Sequence, residues 1–259
     1  MRHYALLGEA LGHSLSVPIH TALLHALGVS ADYRLVEVPK PQLAAELPRL
    51  MTTLDGFNIT IPYKQAVMPA LQSLDATAKA IGAVNTVICA DRSGYNTDAF
   101  GFQSMLQAAG IDPQHQPCFV LGTGGASKAV VHTLQSMGAA EVVCVSRRPG
   151  ASAISYDELA RRGAGLLVNT TPVGMFPQEE ACPLGASVWC AILSRLTAVA
   201  DVIYRPKETV LLRRAKAEGL QTANGLRMLV AQAAEAERLW QQRPIPMEWI
   251  DDLCKELEA

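Results

Sequence analysis

The segment from Cys118 to Val130 constrains the fold most, because it places glycines where a buried strand turns sharply into a helix. Gly122 permits the tight turn, and Gly124 lets backbone N–H groups approach a pyrophosphate. The helix N-terminus adds unpaired N–H groups and a partial positive charge. An ordinary glycine turn is the alternative, but a second strand at the right distance favours a nucleotide loop. This predicted dinucleotide loop comprises Gly122, Thr123, Gly124, Gly125, Ala126 and Ser127.

The residues after the next strand discriminate between the two nicotinamide cofactors. An NAD site has an acidic residue there, which binds the ribose 2′-hydroxyl. This chain has Ser146, Arg147 and Arg148 instead, with no acid nearby. Two guanidinium groups suit a 2′-phosphate, which they can bind through charge-assisted hydrogen bonds. The alternative is a pair of solvated surface arginines, but the pattern favours NADP as cofactor.

Apolar strand-like runs alternate with helical patterns along almost the whole chain, which is typical of an α/β architecture. Strands are predicted at 4–7, 33–38, 56–59, 83–89, 118–121, 141–145, 166–168 and 199–203. Helices are predicted at 16–27, 43–51, 98–109, 126–137, 207–218, 226–240 and 246–257. We expect two α/β domains, the second inserted before C-terminal helices that return to the first.

Composition excludes several classes of protein. The 259 residues carry a net charge of −2, which gives no reason to expect a nucleic-acid partner or an acidic membrane surface. No apolar run reaches the ~20 residues of a membrane helix, and the start does not resemble a signal peptide. The six cysteines form no CxxC pair, so reduced core thiols in a cytoplasmic protein are expected. The spacing of His13, His20 and His25 predicts no metal site.

Four short segments carry polar residues that are unusual for a core and natural for a site. One, Gly-Phe-Asn-Ile-Thr60-Ile-Pro-Tyr-Lys64, places Lys64 just beyond a strand end, where ligands collect in α/β folds. The others are Gly-His-Ser14-Leu-Ser16, Gly-Ala-Val-Asn85-Thr and Gly-Tyr-Asn-Thr-Asp98. Taken singly, Ser16 and Asp98 are equally well interpreted as helix N-caps, and Lys64 as a surface lysine.

Together these segments resemble the shikimate dehydrogenase family, and the resemblance covers nearly the whole chain. Three later motifs add to it: Asn169-Thr-Thr-Pro-Val-Gly174-Met, Asp201-Val-Ile-Tyr204-Arg-Pro and Asn224-Gly225-Leu-Arg-Met228-Leu-Val-Ala-Gln232. The chain departs from the family in having Ala76 where an acid is common and Gly8-Glu-Ala-Leu where Gly-x-Pro-Ile is usual. Ser146-Arg147-Arg148 replaces the usual Asn-Arg-Thr but keeps Arg147.

The resemblance implies reversible, NADPH-dependent reduction of 3-dehydroshikimate to shikimate, a step of chorismate and aromatic amino acid biosynthesis. It implies that Lys64 and Asp98 are the catalytic pair and that Ser14 and Ser16 hold the substrate carboxylate. It also assigns carboxylate or ring-hydroxyl contacts to Thr60, Asn85, Tyr204 and Gln232, and the nicotinamide contacts to Val202, Gly225 and Met228.

The domains are then expected at 1–98, 99–224 and 225–259. The first binds substrate and carries the catalytic pair on a mixed sheet, and the second is a Rossmann-type NADP-binding domain. The last comprises C-terminal helices that pack back on the first. Because Lys64 follows a strand and Asp98 opens the helix entering the second domain, we expect the pair to meet only across a cleft between the domains.

The residue types suit this chemistry. Hydride arriving at a ketone carbon leaves negative charge on the oxygen, which a lysine ammonium can stabilise and protonate. An adjacent carboxylate directs the ammonium and favours its charged form. In the oxidation direction Lys64 must first lose a proton, so that direction should gain from alkaline pH.

Three other functions compete with this one. A quinate or dual quinate/shikimate dehydrogenase would differ in the pocket around Ser14 and Ser16. A non-catalytic ligand sensor need not keep Lys64 and Asp98. A folate-type dehydrogenase shares the two-domain plan but does not explain the Ser14 and Asp98 segments. The expected partners are small molecules, and the sequence leaves open a monomer or a homodimer.

Overall fold

A computed structural model of the chain describes residues 1–12, 14–163 and 165–258 and contains two β-sheets. The strands in these ranges are β1 (Arg2–Gly8), β2 (Ala31–Glu37), β3 (Gly56–Ile59), β4 (Ser73–Leu74), β5 (Thr86–Ile88), β6 (Ser93–Tyr95), β7 (Pro117–Leu121), β8 (Glu141–Val145), β9 (Gly165–Asn169), β10 (Leu196–Asp201) and β11 (Gln221–Ala223). The α-helices in the same ranges are α1 (Ser16–Ala26), α2 (Leu43–Thr53), α3 (Ala76–Ile81), α4 (Asp98–Ala108), α5 (Gly125–Ser136), α6 (Tyr156–Arg162), α7 (Ala186–Ile192), α8 (Val210–Ala217), α9 (Leu226–Gln241) and α10 (Met247–Glu258).

The chain divides into two compact units. The first contains Met1–Gly101 and Val230–Leu257, and the second contains Phe102–Leu229. Helices α4 and α9 each begin in one unit and end in the other. The predicted boundaries, after 98 and after 224, lie at the N-terminal ends of these helices, whereas the units divide inside them.

The first unit contains a six-stranded mixed sheet in the order β2-β1-β3-β5-β6-β4. Strand β1 runs parallel to both β2 and β3, whereas β5 runs antiparallel to β3 and to β6. Strands β3 and β6 therefore point the same way, and their carboxyl ends lie at the same edge of the sheet. The core against this sheet includes Leu7, Leu50, Phe57 and Val87, each 0–1% exposed.

The second unit contains a five-stranded sheet in the order β11-β10-β9-β7-β8. Its neighbouring strands are all parallel. Strands β7, β9 and β10 are almost entirely buried and apolar, as expected when helices cover both faces of a parallel sheet. The carboxyl ends of β7, β8, β9 and β10 meet at one edge, which is where α/β folds bind ligands. This confirms the predicted α/β class with a Rossmann-type second domain.

Short elements account for most differences from the sequence-based expectation. Helices α3, α6 and α7 and strands β4, β6 and β11 were not predicted, because each has at most seven residues and shows too few periods of its pattern. The strand predicted at 83–89 is reduced to β5, since Val84 N–H donates to the Lys64 carbonyl instead of to a neighbouring strand. Strand β10 begins and ends earlier than 199–203, and α8 begins later than 207, with Thr209 as its N-cap.

Asp201, the last residue of β10, is a fully buried carboxylate. It accepts hydrogen bonds from the Ile203 N–H at 3.1 Å, Asn169 Nδ2 at 3.0 Å and Thr209 Oγ1 at 2.8 Å. Burial raises the pKa of Asp201 to about 6, although these three donors lower it. The carboxylate thus connects the ends of β9 and β10 with the start of α8.

This raised pKa predicts a pH-dependent stability. The folded protein holds the Asp201 proton more tightly than the unfolded chain does. Protonated Asp201 therefore makes its full contribution to the free energy of unfolding below about pH 4, and this contribution is lost as pH rises through about 6. We expect Asp201→Asn to gain stability relative to the parent protein over that interval, by on the order of 2–3 kcal/mol. Urea unfolding between pH 4.5 and 7.5 measures the difference.

Asp252→Asn is the matched control, because the Asp252 side chain is 73% exposed. It should show no comparable rise in relative stability over the same pH interval. A stability difference for Asp201→Asn that stayed constant with pH would contradict the assignment.

Candidate active site

Lys64 and Asp98 form an ion pair. Lys64 Nζ donates to Asp98 Oδ2 at 2.6 Å, and the two side chains are only 15% and 9% exposed. Lys64 lies in the loop after β3, and Asp98 is the first residue of α4, which follows β6. Because β3 and β6 end at the same edge of the first sheet, the strand order accounts for the contact.

The expectation that this pair forms only across a cleft between the domains is wrong. Both residues belong to the first unit. The reason is the antiparallel β5–β6 hairpin, which returns the chain to the edge where β3 ends before α4 begins. Asp98 therefore opens α4 while it is still attached to the first sheet.

Asp98 makes hydrogen bonds through both carboxylate oxygens and through its backbone N–H. Its second oxygen, Oδ1, accepts from Asn85 Nδ2 at 3.0 Å. Its backbone N–H donates to Asn96 Oδ1 at 3.1 Å, and Asn96 Nδ2 in turn donates to the Ala83 carbonyl at 2.9 Å. Lys64 and Asn85 thus take one carboxylate oxygen each, which fixes the direction of the carboxylate.

Asn85 and Gln232 meet beside the ion pair. Asn85 Nδ2 and Thr97 Oγ1 both donate to Gln232 Oε1 at 3.4 Å. Asn85 Oδ1 accepts from the Thr97 N–H at 2.8 Å and from Thr86 Oγ1 at 3.1 Å. Four residues predicted from the motifs, Lys64, Asn85, Asp98 and Gln232, therefore form one connected cluster.

The residues Asn96, Thr97 and Thr86 were given no role from the sequence, although they lie inside the motifs that were singled out. Their positions next to Asn85 and Asp98 were the available signal. What the sequence could not show was that these side chains bond to one another, because the bonds join β5 with the loop between β6 and α4.

Ser14 and Ser16 lie together at the start of α1. Ser14 Oγ donates to Ser16 Oγ at 3.0 Å and accepts from the Ser16 N–H at 3.1 Å. Ser16 is the first residue of the helix and Leu15 the N-cap, so interpreting Ser16 as the cap is wrong. Thr60 follows β3 directly, and its N–H donates to the Leu7 carbonyl at 2.9 Å. Since β1 and β3 are parallel neighbours, Thr60 and the serine loop leave the sheet at the same edge.

In the second unit, the glycine loop joins β7 to α5 as predicted. Gly122 has φ of +109°, and a Cβ there would lie 2.8 Å from Thr170 Oγ1, so the fold itself requires glycine. A Cβ on Gly124 or Gly125 would meet nothing within 4 Å. Ser127 is buried, and its Oγ donates to the Gly124 carbonyl at 2.6 Å. The loop therefore leaves open space in front of the N-terminus of α5.

A cavity of about 520 Å³ adjoins this loop. It is lined by Thr123, Ser127 and Lys128 on one side, and by β8 and residues 150–154 on the other. Lys128 was not predicted as a site residue, since a single lysine in an amphipathic helix gives no signal in the sequence. The volume is within the range of small-molecule sites in proteins.

The basic residues after β8 are exposed. Arg148 N–H donates to Ser146 Oγ at 3.1 Å. Within the described residues, neither Arg147 nor Arg148 has a carboxylate within salt-bridge distance. Burial raises the pKa of Tyr156, and the nearby charge of Arg147 offsets part of that rise. Both guanidinium groups are therefore available to an anion.

Val202, Gly225 and Met228 lie together in the second unit. A Cβ on Gly225 would lie 1.9 Å from the Val202 carbonyl oxygen, so only glycine allows this approach. Met228 packs in the same apolar cluster as Val202. Tyr204 also belongs to the second unit, and burial raises its pKa. It is the one predicted ring-binding residue outside the first unit.

Comparisons with known proteins give the family. Residues 6–87 match the family model described as the shikimate dehydrogenase substrate binding domain. The shikimate dehydrogenase (NADP(+)) of Clostridium beijerinckii is 38% identical over 254 residues, covering 93% of both chains. That of Clostridium perfringens is 36% identical over 275 residues, covering 100% of this chain and 99% of the relative. The chain belongs to the shikimate dehydrogenase family.

Solved structures agree. A chorismate mutase/shikimate 5-dehydrogenase fusion protein from Clostridium acetobutylicum has a TM-score of 0.94 at 36% identity, covering 100% of this chain and 97% of that one. Shikimate 5-dehydrogenase from Thermus thermophilus, solved with NADP(H) and shikimate, has a TM-score of 0.87 at 35% identity, with 99% of each chain covered. The resemblance inferred from the motifs, and the two-domain α/β fold of a shikimate dehydrogenase, are thereby confirmed.

Three further features of the described residues bear on the family assignment. In the described ranges no helix combines the length and apolar character needed to cross a bilayer. The same part of the chain holds no group of three or more His, Cys, Asp or Glu side chains placed to bind a metal. At the departure noted from the sequence, Asp75 caps α3 by accepting from the N–H groups of Thr77 and Ala78, and Ala76 begins the helix.

The two loop glycines of this shikimate dehydrogenase should respond differently to the same substitution. Gly124→Ala meets open space and has ordinary φ, so we expect an unchanged melting temperature. The added methyl group would displace the pyrophosphate and raise the KM for NADP by about ten-fold, roughly the loss of one charge-assisted hydrogen bond.

Gly122→Ala is the matched comparison, because its Cβ would strain the backbone and contact Thr170. It should lower the melting temperature by several degrees. Thermal unfolding and steady-state kinetics on both variants measure the contrast. If Gly124→Ala left the KM for NADP unchanged, the pyrophosphate would not bind at this loop.

Proposed function

We propose that the protein is an NADP-dependent shikimate dehydrogenase, which catalyses the reversible reduction of 3-dehydroshikimate to shikimate in chorismate and aromatic amino acid biosynthesis. The observation that carries the proposal is the shielded Lys64–Asp98 ion pair at the sheet edge where ligands bind. The full-length similarity to proteins named shikimate dehydrogenase (NADP(+)) supports the choice of substrate and cofactor. The predicted site residues supply each group that this reaction requires.

The chemistry at the reacting carbon needs a hydride and a proton. NADPH, when bound, supplies the hydride. Lys64 Nζ supplies the proton to the ketone oxygen as it becomes a hydroxyl, and its positive charge stabilises the developing oxyanion. Asp98 holds the ammonium in position through the 2.6 Å contact. In the reverse direction Lys64 takes the proton from the shikimate hydroxyl.

The rest of the first unit positions the substrate. Ser14 and Ser16 offer two hydroxyls, 3.0 Å apart, to the substrate carboxylate. Asn85 and Gln232 lie beside the ion pair, and together with Thr60 they would bind the carboxylate or ring hydroxyls. The same role is proposed for Tyr204. A polar site of this kind rejects analogues that lack the matching hydroxyls, because its buried groups would then be unpaired.

The second unit fits NADP. The open space at Gly124 and Gly125 lies before the N-terminus of α5, where backbone N–H groups can bind the pyrophosphate. Residues Gly122 to Ser127 would therefore hold the phosphates, and Ser146, Arg147 and Arg148 the 2′-phosphate. Val202, Gly225 and Met228 would line the nicotinamide. The fit rests on the missing Cβ atoms and on guanidinium groups that no carboxylate neutralises in the described residues.

We also propose a cytoplasmic enzyme that binds only small molecules, either as a monomer or as a homodimer. In the described part of the chain, Cys89, Cys118, Cys144, Cys182 and Cys190 are free thiols, which suits a reducing compartment. Light scattering at assay concentration distinguishes the two oligomeric states.

The catalytic pair makes a kinetic prediction. We expect Lys64→Ala to lower kcat for NADP-linked shikimate oxidation by roughly 10²–10⁴-fold, the usual contribution of a positioned acid–base group. Shikimate affinity should change far less, because the serine and amide contacts remain. Stopped-flow kinetics and calorimetric titration with shikimate separate the two effects.

Asp98→Asn is the sharper variant, since it keeps the size of the side chain while it removes the charge. It should lose most of its turnover and remain folded by circular dichroism. Near-normal turnover in either variant would refute the mechanism, even with the fold and the cofactor as described.

The arginines make a separate prediction about the cofactor. Replacing Arg147 and Arg148 together by alanine should raise the KM for NADP by about one to two powers of ten. The KM for NAD should change little, because NAD has no 2′-phosphate. Arg195→Ala is the control: its guanidinium donates to backbone carbonyls of α6 and α7, away from the loop. Better turnover with NAD than with NADP in the parent protein would overturn the assignment.

A parallel assay tests the alternative substrate. Quinate has an additional hydroxyl on the carbon that carries the carboxylate, so it must fit against Ser14 and Ser16. We expect kcat/KM for shikimate to exceed that for quinate clearly with NADP. Comparable values would identify a dual quinate/shikimate dehydrogenase.

A further inference from the structure

A chain of buried hydrogen bonds runs across the first sheet from β2 through β3 and β5 to Asp98. Tyr33 OH donates to Asn58 Oδ1 at 2.8 Å, and Asn58 Nδ2 donates to Thr86 Oγ1 at 3.0 Å. Thr86 Oγ1 donates to Asn85 Oδ1 at 3.1 Å. Asn85 Nδ2 then donates to Asp98 Oδ1 at 3.0 Å. We call Tyr33, Asn58 and Thr86 the inner chain.

These three residues lie where an apolar side chain would ordinarily pack. Thr86 is 0% exposed, Asn58 is 4% exposed and Tyr33 is 6% exposed. Burying polar groups costs free energy unless each is paired, whereas valine or leucine in a sheet interior would not incur that cost. Stability alone therefore does not account for the inner chain, and its connection to Asp98 suggests a second role.

Every bond in the chain is oriented the same way. Each donor points toward Asp98, so the bond dipoles add up in the direction that favours a negative charge on its carboxylate. Tyr33 OH is the donor at the outer end. Burial, with the nearby charge of Glu237, raises the pKa of Tyr33 well above its ordinary value, so its phenol keeps its proton.

Thr86 helps to orient the Asn85 amide. Asn58 Nδ2 donates to the Thr86 hydroxyl oxygen, and the hydroxyl proton has Asn85 Oδ1 at 3.1 Å as its nearer acceptor, with Thr97 Oγ1 farther away at 3.4 Å. This leaves Asn85 Nδ2 facing Asp98. A rotated amide would present its oxygen to the carboxylate. Asn85 Oδ1 also accepts from the Thr97 N–H at 2.8 Å and lies 3.2 Å from the Thr97 hydroxyl, so Thr86 shares the task with Thr97.

We infer that Thr86 and Asn58 are positioning residues for the Lys64–Asp98 pair, acting through the amide of Asn85. The inference rests on the proposed function, since it assigns these residues to the same reaction. It extends the machinery from the residues that face the substrate to the interior of the sheet. In the proposed role, Thr86 and Asn58 contact neither substrate nor cofactor.

The test is Thr86→Val, which keeps the shape and removes the hydroxyl. A misplacement of ~1 Å can cost up to ~10²-fold in rate, and the Thr97 N–H retains part of the alignment, so we expect kcat to fall by about ten-fold. The KM for NADP should stay within about two-fold, because cofactor contacts lie in the second unit. Thr86→Ser restores the hydroxyl and should recover most of kcat.

Ser93→Ala is the matched control for lost stability. Ser93 is 4% exposed, lies in β6 beside β5, and donates through Oγ to Asp91 Oδ1 at 2.6 Å. The Ser93→Ala variant loses a buried hydroxyl of the same sheet, but this hydroxyl is not part of the hydrogen-bond chain to Asp98. We expect a similar fall in melting temperature with kcat unchanged. Equal losses of kcat in Thr86→Val and Ser93→Ala, or an unchanged kcat in Thr86→Val, would overturn the inference.

Tyr33→Phe decides the question if Thr86→Val does not fold. Removing the outermost hydroxyl leaves Asn58 Oδ1 unpaired and should lower kcat by about two- to five-fold, with the KM for NADP unchanged. No change in kcat would then overturn the inference. Lys64→Ala distinguishes failure of the positioning role from failure of the proposed function. Full activity in Lys64→Ala refutes the function itself. An inactive Lys64→Ala together with normal kcat in Thr86→Val refutes only the positioning role.

Discussion

An ion pair that is largely shielded from water needs partners on every side, and this requirement organises the first unit. Taking Lys64 and Asp98 out of water is costly, and their mutual attraction offsets that cost only with good geometry and further hydrogen bonds. Asn85 Nδ2 donates such a bond to the Asp98 carboxylate, and Asn96 Oδ1 accepts from the Asp98 backbone N–H. Asn85 comes just before β5 and Asn96 just after β6, and the antiparallel pairing of these strands brings both to the same end of the hairpin, which completes the site.

In the second unit, backbone N–H groups rather than side chains form the proposed binding site for the cofactor pyrophosphate. A pyrophosphate needs closely spaced N–H groups with no Cβ in the way, which glycine supplies. The two loop glycines serve separate purposes: Gly122 has a conformation that the fold requires, whereas Gly124 has ordinary dihedral angles and empty space before it. A glycine that the fold does not require is the stronger indication of a ligand.

Much of this could be predicted from the sequence, and the misses have common causes. Long or strongly apolar elements such as β7, α5 and α9 were found near their observed bounds, because their periodicity extends over several turns or a whole buried strand. Short elements such as β4 and α3 were missed. The polar residues at strand ends were recognised as a site, but Thr86 and Asn58 were not, since a buried hydroxyl or amide inside a strand looks like any other motif residue.

The sequence by itself determined the α/β class, the glycine turn and the basic pair after β8, because each depends on residues close together in the chain. Family motifs added the residues that we propose for the site. Only the tertiary structure decided that Lys64 and Asp98, 34 residues apart, meet within one unit. That contact follows from the strand order β3-β5-β6, and register between strands depends on side-chain packing over the whole sheet. The direction of the Asn85 amide has the same origin, since its partners are brought together by three separate parts of the sheet.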